Sequence, residues 1–141
     1  YEGPTEPLLR ELVFGWWEQY GNTTAGGISK LMMAESGNFP EVARFFLNEV
    51  IEPSHALVEA VIERGIKRRE FRRVDVRTHV EVMIAPLVML CLWQHSFGPC
   101  SAVERNPQRY LETLVEVFLT SLRATPPAAG KRTTARKTNR A

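Results

Sequence analysis

The stretch Met83–Trp93, MIAPLVMLCLW, is eleven apolar residues in succession, inside a chain whose other helix-like segments are striped. It limits the possible folds more than any other segment. A helix built from it is apolar on every side and must be covered on every side. Lipid is a poor cover, because a bilayer span needs about 18 or more apolar residues and charge returns soon after this run. Protein is the better one. A small domain has few layers to offer, so the run calls for a second subunit or a bound apolar molecule.

The rest of the periodicity is helical almost throughout, with no internal repeat and no alternating strand. Leu8, Leu9, Leu12, Val13, Trp16, Trp17 and Tyr20 form one broad face that ends at Gly21-Asn22. A short helix after Thr23-Thr24 carries Ile28, Leu31, Met32 and Met33 and ends at Ser36-Gly37. A third has Asn38 as expected N-cap, Pro40 in its first turn and Glu41 as capping-box acid. Its stripe is Val42, Phe45, Phe46 and Val50, then Leu57, Val58, Val61, Ile62 and Ile66, with a kink or break expected at Pro53.

Asp75 is placed to cap a fourth helix ending near His95, before Gly98-Pro99. One of its faces holds Val80, Met83, Ile84, Leu87 and Cys91; nearly opposite lie Val82, Pro86, Met89 and Trp93. Asn106-Pro107 opens a fifth helix with the stripe Leu111, Leu114, Val115, Phe118, Leu119 and Leu122. The expectation is an all-α helical domain over 1–124, followed by a basic, disordered tail over 125–141.

Charge divides the same way. Residues 1–124 hold 13 Lys+Arg and all 16 Asp+Glu, a net −3, whereas 125–141 hold five cations and no acid. The helical part therefore has no positive excess with which to grip nucleic acid. Lys131, Arg132, Arg136, Lys137 and Arg140 in the tail are suited to salt-sensitive attraction to DNA, or to no contact at all. Two cysteines do not make a disulfide framework, and no signal peptide opens YEGPTEPLLRE, which points to the cytoplasm. The absence of an initiator Met leaves room for a fragment or a processed chain.

Catalytic and metal motifs give way to plainer readings. Glu52 and His55 have the Glu-x-x-His spacing of di-iron bundles, but that chemistry needs a second copy and two further glutamates. Cys91 and His95 are one turn apart with Cys100 beyond them, short of an evident zinc set, and read as a buried thiol and a helix-end imidazole. Ser36 lacks the preceding glycine of a nucleophile elbow. Gly26-Gly27 follows no strand, so it is no phosphate loop. The cations Arg64, Lys67, Arg68, Arg69, Arg72, Arg73 and Arg77 are interrupted by Glu63, Glu70 and Asp75, which favours a solvated helix end over a phosphate strip. No enzyme, cofactor or metal site emerges. More informative is the supply of large, polarizable side chains: Trp16, Trp17, Tyr20, Met32, Met33, Phe45, Phe46, Met83, Met89 and Trp93. Some of these are expected to line an adaptable apolar pocket.

GGISKLMMAESGNFPEVARFFLNEVIEP, then ALVEAVIERGIKRREFRRVD, then APLVMLCLWQHSFGP, resemble the C-terminal regulatory domain of tetracycline-repressor (TetR) family transcription regulators. The similarity runs from about Leu8 to Arg123. It implies a five-helix, homodimeric domain whose last two long helices form a four-helix bundle with a second subunit. It also implies a cavity for a small apolar effector among the first, third and fourth helices. By helix position and face, Trp17, Phe46, Met83 and Leu87 are then the expected cavity residues. Met89, Trp93, Leu114, Phe118 and Leu122 are the expected dimer contacts. Nothing in residues 1–37 matches the family's N-terminal helix-turn-helix domain, so either DNA is bound through a domain outside this chain or this is a relative that has lost that domain. The implied function is that of a transcription regulator, read as a repressor. The alternative is a helical adaptor that docks a different protein and holds no ligand.

Overall fold

The computed structural model describes residues 1–125, so the tail expected over 125–141 lies, but for Thr125, outside the described residues. Six α-helical segments make five helices. Segment α1 (Thr5–Trp16) runs into a π turn, Trp17–Gly21, and α2 covers Gly26–Glu35. α3 (Pro40–Phe46) passes through a second π turn, Leu47–Ile51, into α4 (Glu52–Lys67) without a break. α5 (Val76–Leu92) continues through a third, Trp93–Phe97, and α6 is Pro107–Leu122. No strand forms among the described residues; Phe71 and Arg123 alone make an isolated antiparallel bridge.

The helix ends show why the segments start where they do. Asp75 accepts from the Thr78 N–H at 3.2 Å and from its hydroxyl at 2.8 Å, and Asn106 accepts from the Arg109 N–H at 3.1 Å. Each satisfies an orphan donor of a first turn. Asn38 does not. Its amide turns back to Glu35 at 3.0 Å, and Phe39 occupies the N-cap position of α3 with no side-chain bond. α1 has no local cap either. A carboxylate from far along the chain, Glu70, accepts from the Thr5 N–H at 2.6 Å and places negative charge at the positive end of the helix.

Pro53 neither breaks nor ends its helix. The wide turn just before it loosens the backbone where a proline ring would crowd the carbonyl of Glu49. The Ser54 hydroxyl also donates to the Val50 carbonyl at 2.6 Å. The C-terminal end of α4 is closed by Arg69, which has a left-handed φ of 59°. The N–H groups of Glu70 and Phe71 then fold back on the Gly65 carbonyl.

The core lies between α1, the second half of α4, α5 and α6. Leu9, Val13, Ile62, Phe71, Val80, Met83, Leu90, Cys91, Leu111, Val115, Leu119 and Leu122 are its most enclosed residues. α5 divides as its spacing predicts: Val80, Met83, Leu87 and Cys91 are buried, while Val82 and Met89 on the other face stay exposed. By length and composition the unit Val76–Cys100 would suffice to cross a bilayer. Its inner face is instead packed into this core, and Arg77 on its first turn binds Glu52, Glu59 and Glu81, each at 3.1 Å.

Most of the cationic strip is likewise engaged inside the chain. Arg64 donates to Thr5 Oγ1 and to the Gly3 carbonyl, Arg68 pairs with Glu70, and Arg72 donates to the Ser121 carbonyl.

Candidate ligand cavity

One half of the bundle does not close. α1, α2, the α3–α4 helix and α5 surround a cavity of about 550 Å³, within the range of about 300–1,000 Å³ usual for small-molecule sites. α1 supplies Leu12, Val13 and Trp16, with Tyr20 from its π turn; α2 supplies Ser29, Met32 and Met33. The long helix supplies Phe46, Val50, Ser54, His55 and Val58, and α5 supplies Met83, Ile84, Leu87 and Val88. Among the lining residues there is no Lys, Arg, Asp or Glu.

Three of the four expected cavity residues, Phe46, Met83 and Leu87, are therefore on the wall. Trp17 is not. Successive residues on a helix diverge by about 100°, and it is Trp16 that faces the cavity while Trp17 enters the core with 7% exposure. α2 was also missing from the expected wall. Its contribution through Met32 and Met33 was visible only as part of the thioether and aromatic supply. Of those ten residues, Trp16, Tyr20, Met32, Met33, Phe46 and Met83 line the cavity.

The polar groups on the wall are few. The hydroxyls of Tyr20 and Ser29 bond each other at 3.0 Å. His55 stands apart, because its Nδ1 is shielded from solvent and has no hydrogen-bond partner. Glu52, one turn earlier, points away to Arg77, which lowers its pKa through their hydrogen bond. The Glu-x-x-His pair is thus divided between a surface ion pair and a cavity wall.

Cys91 and His95 do meet, on a shared acceptor. The His95 Nε2 lies 3.0 Å and the Cys91 Sγ 3.7 Å from the Gly21 carbonyl. Burial pushes the Cys91 thiol up to about 11, and Cys100 is exposed and free. This junction also accounts for Gly26. A Cβ there would strike the Gly21 carbonyl oxygen and lie 2.8 Å from His95 Nε2, so α2 can approach α1 and α5 only through a glycine. Among the described residues no three His, Cys, Asp or Glu side chains gather as a metal set.

The expected dimer residues fall into two groups. Met89 is 55% exposed on the outer face of α5. Trp93 lies on the same side, half-buried, with the Arg105 guanidinium stacked 3.6 Å from its ring centroid. Leu114, Phe118 and Leu122 are 8%, 7% and 0% exposed and belong to this chain's own core, which corrects the expectation that they face a partner. The stripe on α6 closes against α1 and α5. The exposed apolar residue on its outer side is Val117.

Comparison with known proteins agrees with this architecture. The family model described as "Tetracyclin repressor-like, C-terminal domain" matches residues 3–105, from the start of the chain through α5 and short of α6. No curated protein and no solved structure matches. A match over most of the sequence, on an all-helical fold with a cavity walled by its first five helical segments, places this chain in the tetracyclin repressor-like C-terminal domain family.

Proposed function

We propose that this chain is the effector-sensing and dimerising part of a transcription repressor, with DNA bound by a domain outside it. The observation that carries the sensing role is the cavity: about 550 Å³, lined almost wholly by apolar side chains, inside a domain of this family. A well-packed core leaves few voids larger than a water molecule, so space of this size fits a small apolar guest. In this reading the guest alters how two copies of the chain hold their DNA-binding domains, and release from the operator follows from that coupling.

The pairing role is supported by the outer side of α5 and α6, where Val82, Met89 and Val117 are 60%, 55% and 61% exposed. A second copy is the cover proposed for that face. The test of sensing is thermal unfolding of the chain against a panel of small apolar compounds. A ligand that binds only the folded form raises the melting temperature in a concentration-dependent way. No shift across a broad panel would overturn the sensor reading, and a chain that sediments as a single subunit at high concentration would overturn the pairing.

A further inference from the structure

The wall of the cavity specifies more than apolarity. Without Lys, Arg, Asp or Glu on it, an ion of either sign would lose its water and gain no counter-charge. Trp16, Tyr20 and Phe46 provide rings, and Met32, Met33 and Met83 provide sulfurs that pack well against the face or edge of another ring. The enclosed polar groups are mostly occupied: Tyr20 with Ser29, and Ser54 with the Val50 carbonyl. His55 is the remaining polar residue of this wall, and its Nδ1 lies behind the surface, shielded from solvent and without a hydrogen-bond partner. A buried polar atom without a partner is costly and rare. Rotation about χ2 of a histidine is soft, and a half-turn exchanges the positions of Nδ1 and Cδ2, which presents this nitrogen on the other edge of the ring.

Building on the effector-sensing reading, we propose that the cavity takes a neutral aromatic molecule bearing one hydroxyl group. The rings and thioethers hold its body. Its hydroxyl hydrogen-bonds a ring nitrogen of His55, and this contact fixes which way round the molecule lies. A fused-ring phenol has both the body and the single polar group. An anion of the same outline meets no Lys or Arg on the wall, and a plain hydrocarbon enters without a fixed orientation.

The test compares 2-naphthol, naphthalene and 2-naphthoate by calorimetric titration of the whole 141-residue chain, unmodified and as His55→Phe and His55→Gln. The unmodified chain is expected to bind 2-naphthol about fivefold more tightly than naphthalene, the effect of one net hydrogen bond, with 2-naphthoate the weakest. His55→Phe should erase the preference for the phenol and leave naphthalene binding within about twofold, and His55→Gln should restore part of it. Circular dichroism checks that each variant folds, and His55→Leu replaces His55→Phe if the latter does not. A phenol preference that survives the loss of the imidazole, equal binding of phenol and hydrocarbon, or tightest binding of the anion each overturns the proposal while leaving the sensor reading intact. If none of the three probes binds the unmodified chain, this proposal falls, and the sensor reading is decided by the broad panel of apolar compounds instead.

Discussion

α6 and α3 are both rich in apolar residues, yet they are treated in opposite ways. α6 buries Leu111, Leu114, Val115, Phe118, Leu119 and Leu122, whereas α3 buries nothing and α2 buries only Gly26. Phe45 and Val42 on α3 are 67% and 51% exposed, and Leu31 and Met33 on α2 are 59% and 61%. The difference is in how many apolar neighbours each face meets, since hydrophobic content alone does not fill space. The base of the molecule is locked by contacts on several sides. The α2–α3 flank packs on the base through α2 but buries almost no side chains, and the cavity lies where that flank meets the base. Elements with few buried side chains sit at the low end of local stability, which suits the guest-admitting wall proposed for this cavity.

That contrast can be broken most directly by putting one charge in each kind of place. Phe118→Glu should unfold the chain, at a cost of about 4 kcal/mol or more, because the carboxylate enters a core with no partner for it. Met89→Glu should leave the helical circular dichroism intact and convert a dimer to single subunits in sedimentation. If Phe118→Glu instead gave a folded single subunit, α6 would have been turned the wrong way.

Truncations sharpen the same comparison with smaller effects. Leu111→Ala, at a fully enclosed site, should lower unfolding free energy in denaturant by about 2–5 kcal/mol. Phe45→Ala, on the open flank, should change it by less than about 0.5 kcal/mol. Equal losses would mean that the flank is packed as tightly as the base.

Acid should act on the base through the Glu70 cap. The Thr5 backbone N–H and the Arg68 guanidinium lower the Glu70 pKa below its ordinary 4.5. A depressed folded-state pKa contributes stability that is present above the unfolded value and is lost as pH falls through the folded one. Melting temperature should therefore drop as pH is taken from about 5 downwards, and Glu70→Gln should lower it near neutrality and flatten the acid-side decline. A further small effect concerns one backbone angle. Arg69→Gly relieves a left-handed φ of 59° and should stabilise the chain by about 0.5–1 kcal/mol in the same denaturant measurement.

Much of the fold was legible because its signals are local. The caps at Asp75 and Asn106, the first-turn Pro40 and Pro107 and the two faces of α5 all depend on residues within a turn or two of one another. Two of the gaps share a cause, which is that the deciding partner lies far away in sequence. Nothing near Thr5 announces that Glu70 will cap α1, and nothing in the stripe of α6 says whether its cover is this chain or a copy. The π turns are a different failure. Each adds a residue to one turn, so a count at 3.6 residues per turn loses phase there. For the cavity, Phe46, Met83 and Leu87 followed from the expected faces; Met32 and Met33 required knowing that α2 folds back over the opening.

The side-by-side indoles at positions 16 and 17 have a practical consequence. Trp16 borders the cavity and Trp17 is enclosed in the core, each with its own surroundings. With Trp93 also changed to phenylalanine, replacing either one would leave its neighbour as a separate optical reporter, one for occupancy and one for integrity of the fold. A quencher small enough to enter should dim the emission of Trp16 long before that of Trp17, so a single spectrum would distinguish filling from melting.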